Sequence, residues 1–584
     1  MIPEALLSKV KAWRDADPDE ATAAELDALI SKNEVNELSD RFAASLEFGT
    51  AGLRGVLGGG PNRMNRAVVR RTTAGLARYL KAQIPDVTKR GVVVGRDGRR
   101  MSREFTEDTV GVLAAEGIPA HVFEDVVPTP VTAFATLRLN AAAAVMITAS
   151  HNPPEYNGYK VYWQNGAQII PPHDKGIAAS IDRVEPAREV KLLSRADATK
   201  QGLLHTVGPE LERAYLDAIL GLRLHPEASK DLQFVYTAMH GVGGRWVKAA
   251  FKQAGFDKLH VVPEQQEPDG TFPTVRFPNP EEPGAMDLST ALAEKVKAEL
   301  VIANDPDADR LAVLARDSQG KLKALSGNEV GVLLGHYVLT ERKPRPGKPL
   351  LVTTIVSSVQ LGEIAKAEGA LYGETLTGFK WIANHSLERE KSDGASFLMG
   401  YEEALGYTVG TVVRDKDGVG SAVVFADLAS WCKSRGTTVL GYLEEIQRKY
   451  GLFLADQKNF TFPGAEGAAV IARVMDGFRK SHPSRIGEFE VVELRDYKLG
   501  EAQAGAEKRK LTLPSSNVIA YMLKGGSRVT LRPSGTEPKI KYYFELKETL
   551  SPGETVETAK ARATERLERL QADFVRLARE RGQP

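Results

Sequence analysis

The stretch Ala141-Ala142-Ala143-Ala144-Val145-Met146-Ile147-Thr148-Ala149-Ser150-His151-Asn152-Pro153 joins a nearly continuous apolar run to a polar turn. An apolar run of this length that ends in turn residues predicts a buried strand. The polar residues then stand at the end of that strand, where open α/β sheets bind ligands. Ser150 is therefore a candidate nucleophile or phosphate carrier, although Thr, Ser and Asn are also ordinary turn residues.

Short apolar runs alternate with helical patterns on both sides of this stretch, which indicates a parallel α/β fold. From Lys458 onward the strands become shorter, and a charged helix ends the chain, which indicates a smaller α+β unit. The predicted strands are 91–97, 235–237, 259–262, 349–354, 529–531 and 540–544, and the predicted helices are 19–33, 74–83, 102–117, 245–255, 329–339, 359–368 and 554–581.

A glycine-rich segment runs from Phe48 to Gly60 and ends in Gly58-Gly59-Gly60. Three consecutive glycines leave the backbone without side-chain restraint. The segment therefore predicts a functional loop or a hinge.

A second apolar run, Leu300 to Ala303, is followed by Asn304-Asp305-Pro306-Asp307-Ala308-Asp309-Arg310. Three carboxylates at alternate positions make an oxygen cage suited to Mg²⁺. An EF-hand is excluded because its sixth position would be Arg310 instead of Gly, and its twelfth Arg316 instead of Glu. A plain acidic loop would leave three like charges without neutralisation. We therefore predict a metal site at Asp305, Asp307 and Asp309.

A third segment, Arg532-Pro533-Ser534-Gly535-Thr536-Glu537-Pro538, combines a guanidinium, two hydroxyls and a glycine. Arg offers two parallel donors to phosphate oxygens, and Ser and Thr add neutral donors. The composition suits a bound phosphate, but Ser-Gly-Thr is also common turn chemistry.

Taken together, these segments resemble the α-D-phosphohexomutases, in particular the long phosphoglucomutase and phosphomannomutase branch. The resemblance spans most of the chain and rests on five segments in the family's order. These are Phe48 to Gly55, the Ser150 loop with Asn157-Gly158-Tyr159-Lys160, the Asp305 loop, Thr377-Gly378-Phe379-Lys380 with Gly400-Tyr401-Glu402-Glu403, and the Arg532 loop.

The resemblance implies three similar mixed-sheet α/β domains and a smaller C-terminal α+β domain around a central cleft. Glycine and proline punctuation, together with the resemblance, place the domains at 1–208 with the phosphoserine, 209–327 with the metal, 328–458 with the sugar site and 459–584 with the phosphate loop. A length of 584 residues is compatible with about four domains of roughly 150 residues each.

The resemblance also implies the reaction. Ser150 carries a phosphate, transfers it to the sugar's free hydroxyl to form a bisphosphate, and takes back the other phosphate after the intermediate turns over. Mg²⁺ would be held by Asp305, Asp307, Asp309 and an oxygen of the Ser150 phosphate. Arg54 and Lys160 match positions that assist transfer, and Lys160 is the candidate general acid or base, for which its pKa would need to fall. His151 is a further catalytic candidate, although it also suits a role in satisfying nearby backbone.

The remaining matches concern the sugar and its distal phosphate. Glu402 matches the family's acceptor for sugar hydroxyls, and a carboxylate can accept from two of them at once. Ala404 departs from the pattern, because many relatives carry Ser there, and this leaves the sugar preference open. The candidate substrate-binding residues are Thr377, Gly378, Lys380, Glu402, Arg532, Ser534, Gly535 and Thr536, with Lys541 as an additional charge.

We therefore expect interconversion of glucose 1-phosphate and glucose 6-phosphate, with Mg²⁺ as cofactor and glucose 1,6-bisphosphate as activator and intermediate. Phosphomannomutase, phosphopentomutase and glucose 1,6-bisphosphate synthase activities stay open as alternatives. A phosphomonoester hydrolase would also use a phosphoserine and Mg²⁺, but it has no need of separate sugar and phosphate loops. A non-catalytic phosphosugar-binding protein would not need Ser150 or the aspartates.

The composition of the chain excludes several kinds of partner and an internal disulfide. The chain is 42% hydrophobic and 26% charged with a net charge of +1, so no overall field attracts nucleic acid or an anionic membrane. Its one cysteine, Cys432, allows no internal disulfide. Neither a signal sequence nor a membrane-spanning apolar run is present, so we expect a cytoplasmic monomer or homodimer whose partners are small phosphosugars.

Overall fold

A computed structural model describes residues 1–47, 52–344, 346–462, 467–534 and 539–583. The first unit carries a mixed sheet of order β1-β5-β4-β2-β3-β6, in which β5 runs antiparallel to both of its neighbours, β1 and β4. Its elements are α1 Glu4–Ala16, α2 Glu20–Ser31, α3 Val35–Arg41, β1 Leu53–Val56, α4 Arg66–Gln83, α5 Val87–Arg90, β2 Val92–Arg96, α6 Ser102–Ala115, β3 Ala120–Val122, α7 Thr129–Arg138, β4 Ala143–Ile147, β5 Tyr156–Trp163, α8 His173–Ile181, α9 Arg195–Lys200 and β6 Leu204–Thr206.

The second unit has a mixed sheet of order β11-β10-β9-β7-β8, with β7, β8 and β9 parallel. Its elements are α10 Pro209–Leu220, β7 Phe234–Thr237, α11 Gly244–Ala254, β8 Leu259–Val261, a 3₁₀ turn Pro263–Gln265, α12 Asp287–Val296, β9 Leu300–Ala303, β10 Ala312–Arg316 and β11 Leu322–Ala324.

The third unit repeats this plan with the order β13-β12-β14-β15, in which β15 is antiparallel to β14. Its elements are α13 Gly327–Thr340, β12 Lys348–Thr354, α14 Gln360–Ala367, β13 Leu371–Thr375, α15 Phe379–Asp393, β14 Ala395–Glu402, β15 Gly406–Val409, α16 Gly418–Ser434 and α17 Val439–Tyr450.

The fourth unit is an antiparallel sheet of order β16-β23-β22-β21-β18-β19-β20 with two long helices. The predicted boundary at 458 falls inside β16, which pairs with β23 along its whole length, so this sheet begins at Leu452. Its elements are β16 Leu452–Thr461, α18 Gly467–Lys480, β17 Arg485–Ile486, β18 Phe489–Asp496, β19 Glu501–Ala504, β20 Glu507–Lys510, β21 Ile519–Leu523, β22 Arg528–Pro533, β23 Lys539–Glu548 and α19 Val556–Glu580. The predicted fold class, three mixed α/β units and a smaller α+β unit, is confirmed.

Strand β4 is apolar throughout because the sheet is covered on both faces. Met146 belongs to a core that includes Val131 of α7, whereas Val145 belongs to a second core with Val69 of α4 and Phe105 of α6. Successive residues of a strand point to opposite faces. Two covered faces therefore require an uninterrupted apolar run.

In each of the first three sheets, one parallel strand is followed along the chain by an antiparallel neighbour. The connections are β4 to β5, β9 to β10 and β14 to β15. The Ser150 loop, the aspartate loop and the Glu402-Glu403-Ala404 turn occupy these three equivalent connections. The shared topology therefore delivers one polar loop per unit from the carboxyl end of a buried strand.

The third and fourth units meet through a small apolar cluster that includes Val356, Leu376 and Tyr543. Beside it, the buried Arg528 lies 3.3 Å from Glu545 and 3.3 Å from Glu374. This contact joins the two units through both apolar packing and buried charge. Within the described ranges, no helix combines the length and the apolarity needed to cross a bilayer.

Candidate active site

The turn after β4 holds Ser150 in a left-handed conformation with φ 52°. The backbone N–H of Ser150 donates to Thr148 Oγ1 at 2.9 Å. Arg99 donates to the carbonyl oxygens of Ser150 at 2.6 Å, Pro153 at 2.8 Å and Tyr156 at 3.2 Å. A left-handed residue other than Gly costs on the order of 1 kcal/mol, so these bonds are what keep the loop in place.

The Ser150 hydroxyl donates to Asp305 Oδ2 at 2.8 Å, and its Oγ lies 3.2 Å from His151 Nδ1. Burial, followed by the charges of Arg310 and Arg54, lowers the pKa of His151 well below its usual range. The imidazole is therefore neutral at pH 7, so the structure places a neutral nitrogen beside the predicted phosphate carrier.

Asp305, Asp307 and Asp309 are fully buried, and one oxygen of each lies within 4.8 Å of the other two. Burial and the two neighbouring carboxylates raise the pKa of Asp305 well above its usual value. Among the described residues, Asp307 Oδ1 and Asp309 Oδ1 are buried without a hydrogen-bond partner. Unpartnered carboxylate oxygens in one buried group fit a hard divalent cation. The group is therefore able to hold a metal ion.

Lys160 reaches this group from β5. Its buried Nζ lies 2.8 Å from Asp307 Oδ2 and 3.0 Å from Asp309 Oδ2. Burial lowers the pKa of Lys160, but the two carboxylates outweigh it and raise the pKa above its usual value. The expected fall in this pKa is therefore not found; the carboxylates hold Lys160 in its protonated form.

Arg54 lies on β1 and donates to Asn152 Oδ1 at 2.7 Å, beside the Ser150 loop. Burial lowers the pKa of Arg54 to about 10, and the group is still charged at pH 7. Arg310 lies beside the carboxylates, with Nε 3.9 Å from Asp305 and 4.0 Å from Asp309. Two guanidinium groups therefore lie close to the Ser150 loop and the carboxylates.

The sugar-binding candidates meet at the end of β14. Glu402 Oε1 accepts from the backbone N–H of Gly378 at 2.7 Å, and burial raises the pKa of Glu402. Gly378 has φ 115°, which only glycine adopts readily. Thr377 Oγ1 has no hydrogen-bond partner within the described part of the chain, and burial lowers the pKa of Lys380. The structure brings these four residues into one neighbourhood.

The distal-phosphate candidates lie on the β22–β23 hairpin of the fourth unit. Arg532 pairs in register with Lys541, and the backbone N–H of Ser534 donates to Lys539 O at 2.7 Å. Burial, then the charges of Lys539 and Arg532, lowers the pKa of Lys541. Gly535 and Thr536 lie outside the described residues, as do Phe48 to Ala51 of the first motif.

One cavity of about 770 Å³ is lined by residues from all four units. His151 and Arg310 line it beside the serine and the aspartates, and Ala404 lines it from the third unit. Lys539 and Lys541 line it from the fourth unit. The lining therefore includes cations of both the second and the fourth units, together with carboxylates such as Glu281 and Glu403.

Three residues that contact the site were missed by the sequence analysis. They are Arg99, Thr129, whose Oγ1 donates to Asp307 Oδ2 at 2.7 Å, and Lys416, whose Nζ lies 3.1 Å from Asp309 Oδ2. Arg99 and Lys416 each stand in a polar stretch beside an aspartate, Asp97 and Asp415. That charge pairing is the only local signal, and it does not say which loop the cation contacts.

Sequence profiles of four consecutive domain families match the chain. They are described as phosphoglucomutase/phosphomannomutase alpha/beta/alpha domain I at residues 45–188, domain II at 213–320, domain III at 326–450, and the C-terminal domain at 489–551.

Two human proteins resemble the chain over most of its length. Phosphopentomutase is 39% identical over 555 residues, covering 91% of this chain and 90% of the relative. Glucose 1,6-bisphosphate synthase is 36% identical over 557 residues, covering 91% and 89%. A solved structure of a putative phosphomannomutase from Thermus thermophilus matches with a TM-score of 0.65 at 21% identity, covering 90% of this chain and 99% of that one. This structural likeness concerns the fold alone.

Proposed function

Because the chain belongs to the phosphoglucomutase/phosphomannomutase family, and is thus a phosphomutase, we propose that it moves a phosphoryl group within one sugar through a phosphate on Ser150. The observation that carries the proposal is the 2.8 Å contact between Ser150 Oγ and Asp305 Oδ2. It joins the predicted phosphate carrier of the first unit to the carboxylate group of the second.

The proposed transfer breaks the bond between phosphorus and Ser150 Oγ and forms a bond from phosphorus to a sugar hydroxyl. A general base accepts the proton of that hydroxyl, and a general acid supplies a proton to Ser150 Oγ. After the bisphosphate has turned over, the reverse exchange returns a phosphoryl group from the other end of the sugar to Ser150. Direct transfer between the two ends would have to span the sugar ring. A carrier serine makes each exchange a short step between adjacent oxygens.

The side chains around Ser150 suit this exchange. Arg54 and Arg310 place positive charge beside the position of the transferred phosphoryl group, where negative charge is distributed. A protonated Lys160 can act as the general acid. Its role as a general base requires weaker contact with Asp307 and Asp309. Neutral His151 can accept or donate one hydrogen bond at the phosphate.

We propose Mg²⁺ as the metal, held by Asp305, Asp307 and Asp309 together with an oxygen of the Ser150 phosphate. The support is the all-oxygen donor set and the two buried oxygens without a partner in the described ranges. When bound, Mg²⁺ would offset the negative charge of the transferring phosphoryl group.

For the substrate, we propose that Glu402, Thr377, Gly378 and Lys380 bind the sugar. Arg532, Ser534, Gly535 and Thr536, with Lys541, are proposed to bind its distal phosphate. Pairing of Arg532 with Lys541 across two strands supports this assignment, because it sets two cations side by side.

Glucose 1-phosphate and glucose 6-phosphate, with glucose 1,6-bisphosphate as intermediate, are the hexose substrates that we propose. Phosphopentoses are the second candidate, and two observations favour them. Human phosphopentomutase is 39% identical, and Ala404 lines the cleft without the hydroxyl of the Ser that many relatives carry there. Synthesis of glucose 1,6-bisphosphate is a further alternative, because one relative is named glucose 1,6-bisphosphate synthase.

The test measures isomerisation of glucose 1-phosphate, mannose 1-phosphate and ribose 1-phosphate, each with Mg²⁺ and a trace of the matching bisphosphate. Ser150→Ala is compared with Ser31→Ala, a control that makes the same substitution at an exposed serine outside the site. We expect turnover that is lost only in Ser150→Ala, and an intact mass that shows one phosphoryl group on the wild type but not on that variant.

The ratios of kcat/KM rank the sugars, and inorganic phosphate is measured in the same reactions. Equal turnover by Ser150→Ala would refute the phosphoserine route. Stoichiometric release of phosphate would make the protein a hydrolase. Net synthesis of bisphosphate from an activated phosphate donor, without isomerisation, would make it a synthase.

A further inference from the structure

The loop Gly58-Gly59-Gly60 is not explained by the proposed chemistry. It follows β1, the strand that carries Arg54. The backbone N–H of Leu57 donates to Glu155 O at 2.7 Å, and that of Met64 donates to Val56 O at 2.8 Å. The loop therefore leaves β1 and returns beside it, so whatever holds the loop also holds the end of this strand.

An N-terminal cap made of α1, α2 and α3 lies against this loop. Val10, Leu26 and Leu38, one from each helix, form its buried centre, and Trp13 and Phe42 pack around them. The cap precedes the region matched by the domain I profile, which begins at residue 45. It is a small apolar body with its own core, and none of its residues lies among the proposed catalytic or binding groups.

Two charged side chains of the cap bind a single glycine of the loop. Glu25 Oε2 accepts from the backbone N–H of Gly59 at 2.8 Å, and Arg41 Nη1 donates to Gly59 O at 3.2 Å. Glu25 and Arg41 also pair with each other at 2.8 Å, and Arg41 is only 7% exposed. Both polar backbone groups of Gly59 are thus bound by one ion pair, which we call the Glu25–Arg41 clamp.

The close approach of the cap explains the glycines. A Cβ on Gly59 would lie 2.8 Å from Leu26 Cγ and 2.9 Å from Thr22 O. A Cβ on Gly58 would lie 3.0 Å from Arg41 Nη1, and one on Gly60 would lie 3.1 Å from Arg41 Cβ. Any side chain here would push the loop away from the cap, so the loop is shaped for this contact.

Strand β1 is at the edge of its sheet and pairs with β5. On this short edge strand, Arg54 lies opposite Gly158, and its guanidinium reaches Asn152 in the Ser150 loop. Leu46, which follows the cap, packs so closely on Gly55 that a Cβ there would lie 2.9 Å from Leu46 Cδ1. The cap and its following segment therefore contact β1 directly after Arg54.

We propose that the Glu25–Arg41 clamp is a positioning device for Arg54. It anchors the C-terminal end of β1, and so holds the Arg54 guanidinium at the Ser150 loop. Glu25 and Arg41 are positioning residues that act through Arg54 and do not touch the substrate. The inference rests on the proposed function, because Arg54 assists phosphoryl transfer only in that reaction.

The test is a double-mutant cycle between Glu25→Ala and Arg54→Ala. Misplacement of an active-site group by about 1 Å can cost about a hundredfold in rate, so we expect Glu25→Ala to lower kcat/KM by roughly fivefold to fiftyfold. In the Arg54→Ala background the same change should cost less than about twofold. Glu25→Gln, which keeps an acceptor for the Gly59 N–H, should restore part of the loss.

Asp27→Ala is the matched control, because Asp27 is a carboxylate on the same helix as Glu25. Its side chain pairs with Arg14 at 3.3 Å. It should leave kcat/KM unchanged. Thermal unfolding shows whether each variant is folded. Equal losses from Glu25→Ala in both backgrounds, or no loss in either, would overturn the positioning role.

Amide hydrogen exchange over residues 53–60 provides a readout that needs no turnover. Faster exchange there in Glu25→Ala than in Asp27→Ala supports the clamp, and equal exchange overturns it. If the wild-type protein isomerises no phosphosugar, the proposed function fails, whereas the exchange experiment still decides whether the clamp holds β1.

Discussion

Arg99 is the side chain on which the conformation of the Ser150 loop depends, and Arg99→Lys tests this dependence. The guanidinium donates to four carbonyl oxygens of the loop, those of Ser150, Asn152, Pro153 and Tyr156. A lysine has a single nitrogen in place of the planar guanidinium group, so it cannot contact all four carbonyl oxygens at once.

The size of the effect follows from the bonds lost. A hydrogen bond to a charged group contributes about 1.5–3 kcal/mol, and a buried carbonyl left without a donor costs about 1–3 kcal/mol. If lysine keeps two of the four bonds, the free energy of unfolding should fall by roughly 2–4 kcal/mol, because such losses are not additive. A loosened Ser150 should lower kcat/KM about tenfold to a hundredfold, equivalent to about 1.4–2.8 kcal/mol.

The assay combines urea unfolding with kcat/KM for the preferred sugar phosphate. Arg435→Lys is the control, because Arg435 is 42% exposed and pairs with Glu445 at 3.3 Å on the surface. It should change stability by no more than about 0.5 kcal/mol. An Arg99→Lys variant with the stability and kcat/KM of wild type would refute the inference that Arg99 holds the loop.

Three further predictions concern charge. Burial raises the pKa of Asp417 from 3.8 to about 6. The contribution of Asp417 to the free energy of unfolding is therefore fully present below pH 3.8 and is lost as the pH rises through 6. Urea unfolding should therefore show Asp417→Asn gaining roughly 1–3 kcal/mol on wild type between pH 4 and 7, and parallel pH curves would contradict this. Glu545→Ala removes a buried partner of Arg528 and should lower the free energy of unfolding by about 3–5 kcal/mol. Glu490→Ala, which removes an exposed partner of Lys524, should lower it by at most about 1 kcal/mol; similar losses in both variants would argue against a buried network. Returning millimolar Mg²⁺ to chelator-treated protein should raise Tm by a few degrees, and Asp309→Asn should abolish that rise, so a rise retained in the variant would place the metal elsewhere.

Local pattern was sufficient for many of the elements. The strand predicted at 300–303 has those limits, and the helix predicted at 554–581 is Val556–Glu580. These elements are visible in sequence because apolar spacing records which faces are covered. The boundary near 458 was harder to place, because Asp456 to Asn459 are all polar and only the pairing of β16 with β23 assigns them to the last sheet.

The contacts within the site were harder to predict from the sequence. The sequence patterns assigned no secondary structure to the motif around Lys160, whereas Tyr156–Trp163 is an antiparallel strand that brings the lysine to the aspartates. The direction in which the pKa of Lys160 shifts also depends on this strand. Burial alone would lower the pKa, but the strand brings Lys160 so close to two carboxylates that they raise it. Contacts of Thr129 and Lys416 with the aspartates join residues far apart in the chain, and no local pattern specifies such a contact.

The sequence by itself determined which residue types stand at the ends of buried strands, because burial on both faces demands an apolar run and the turn beyond it is polar. It thereby identified Ser150, the three aspartates and the Arg532 loop, and with them the family. Only the tertiary structure decided how these loops meet. Three sheets of the same topology point their carboxyl ends at one cleft. The protonation of Lys160 follows from packing of the first unit on the second, whereas the anchoring of Ser150 by Arg99 and the clamp on Gly59 follow from contacts that form when the first unit folds.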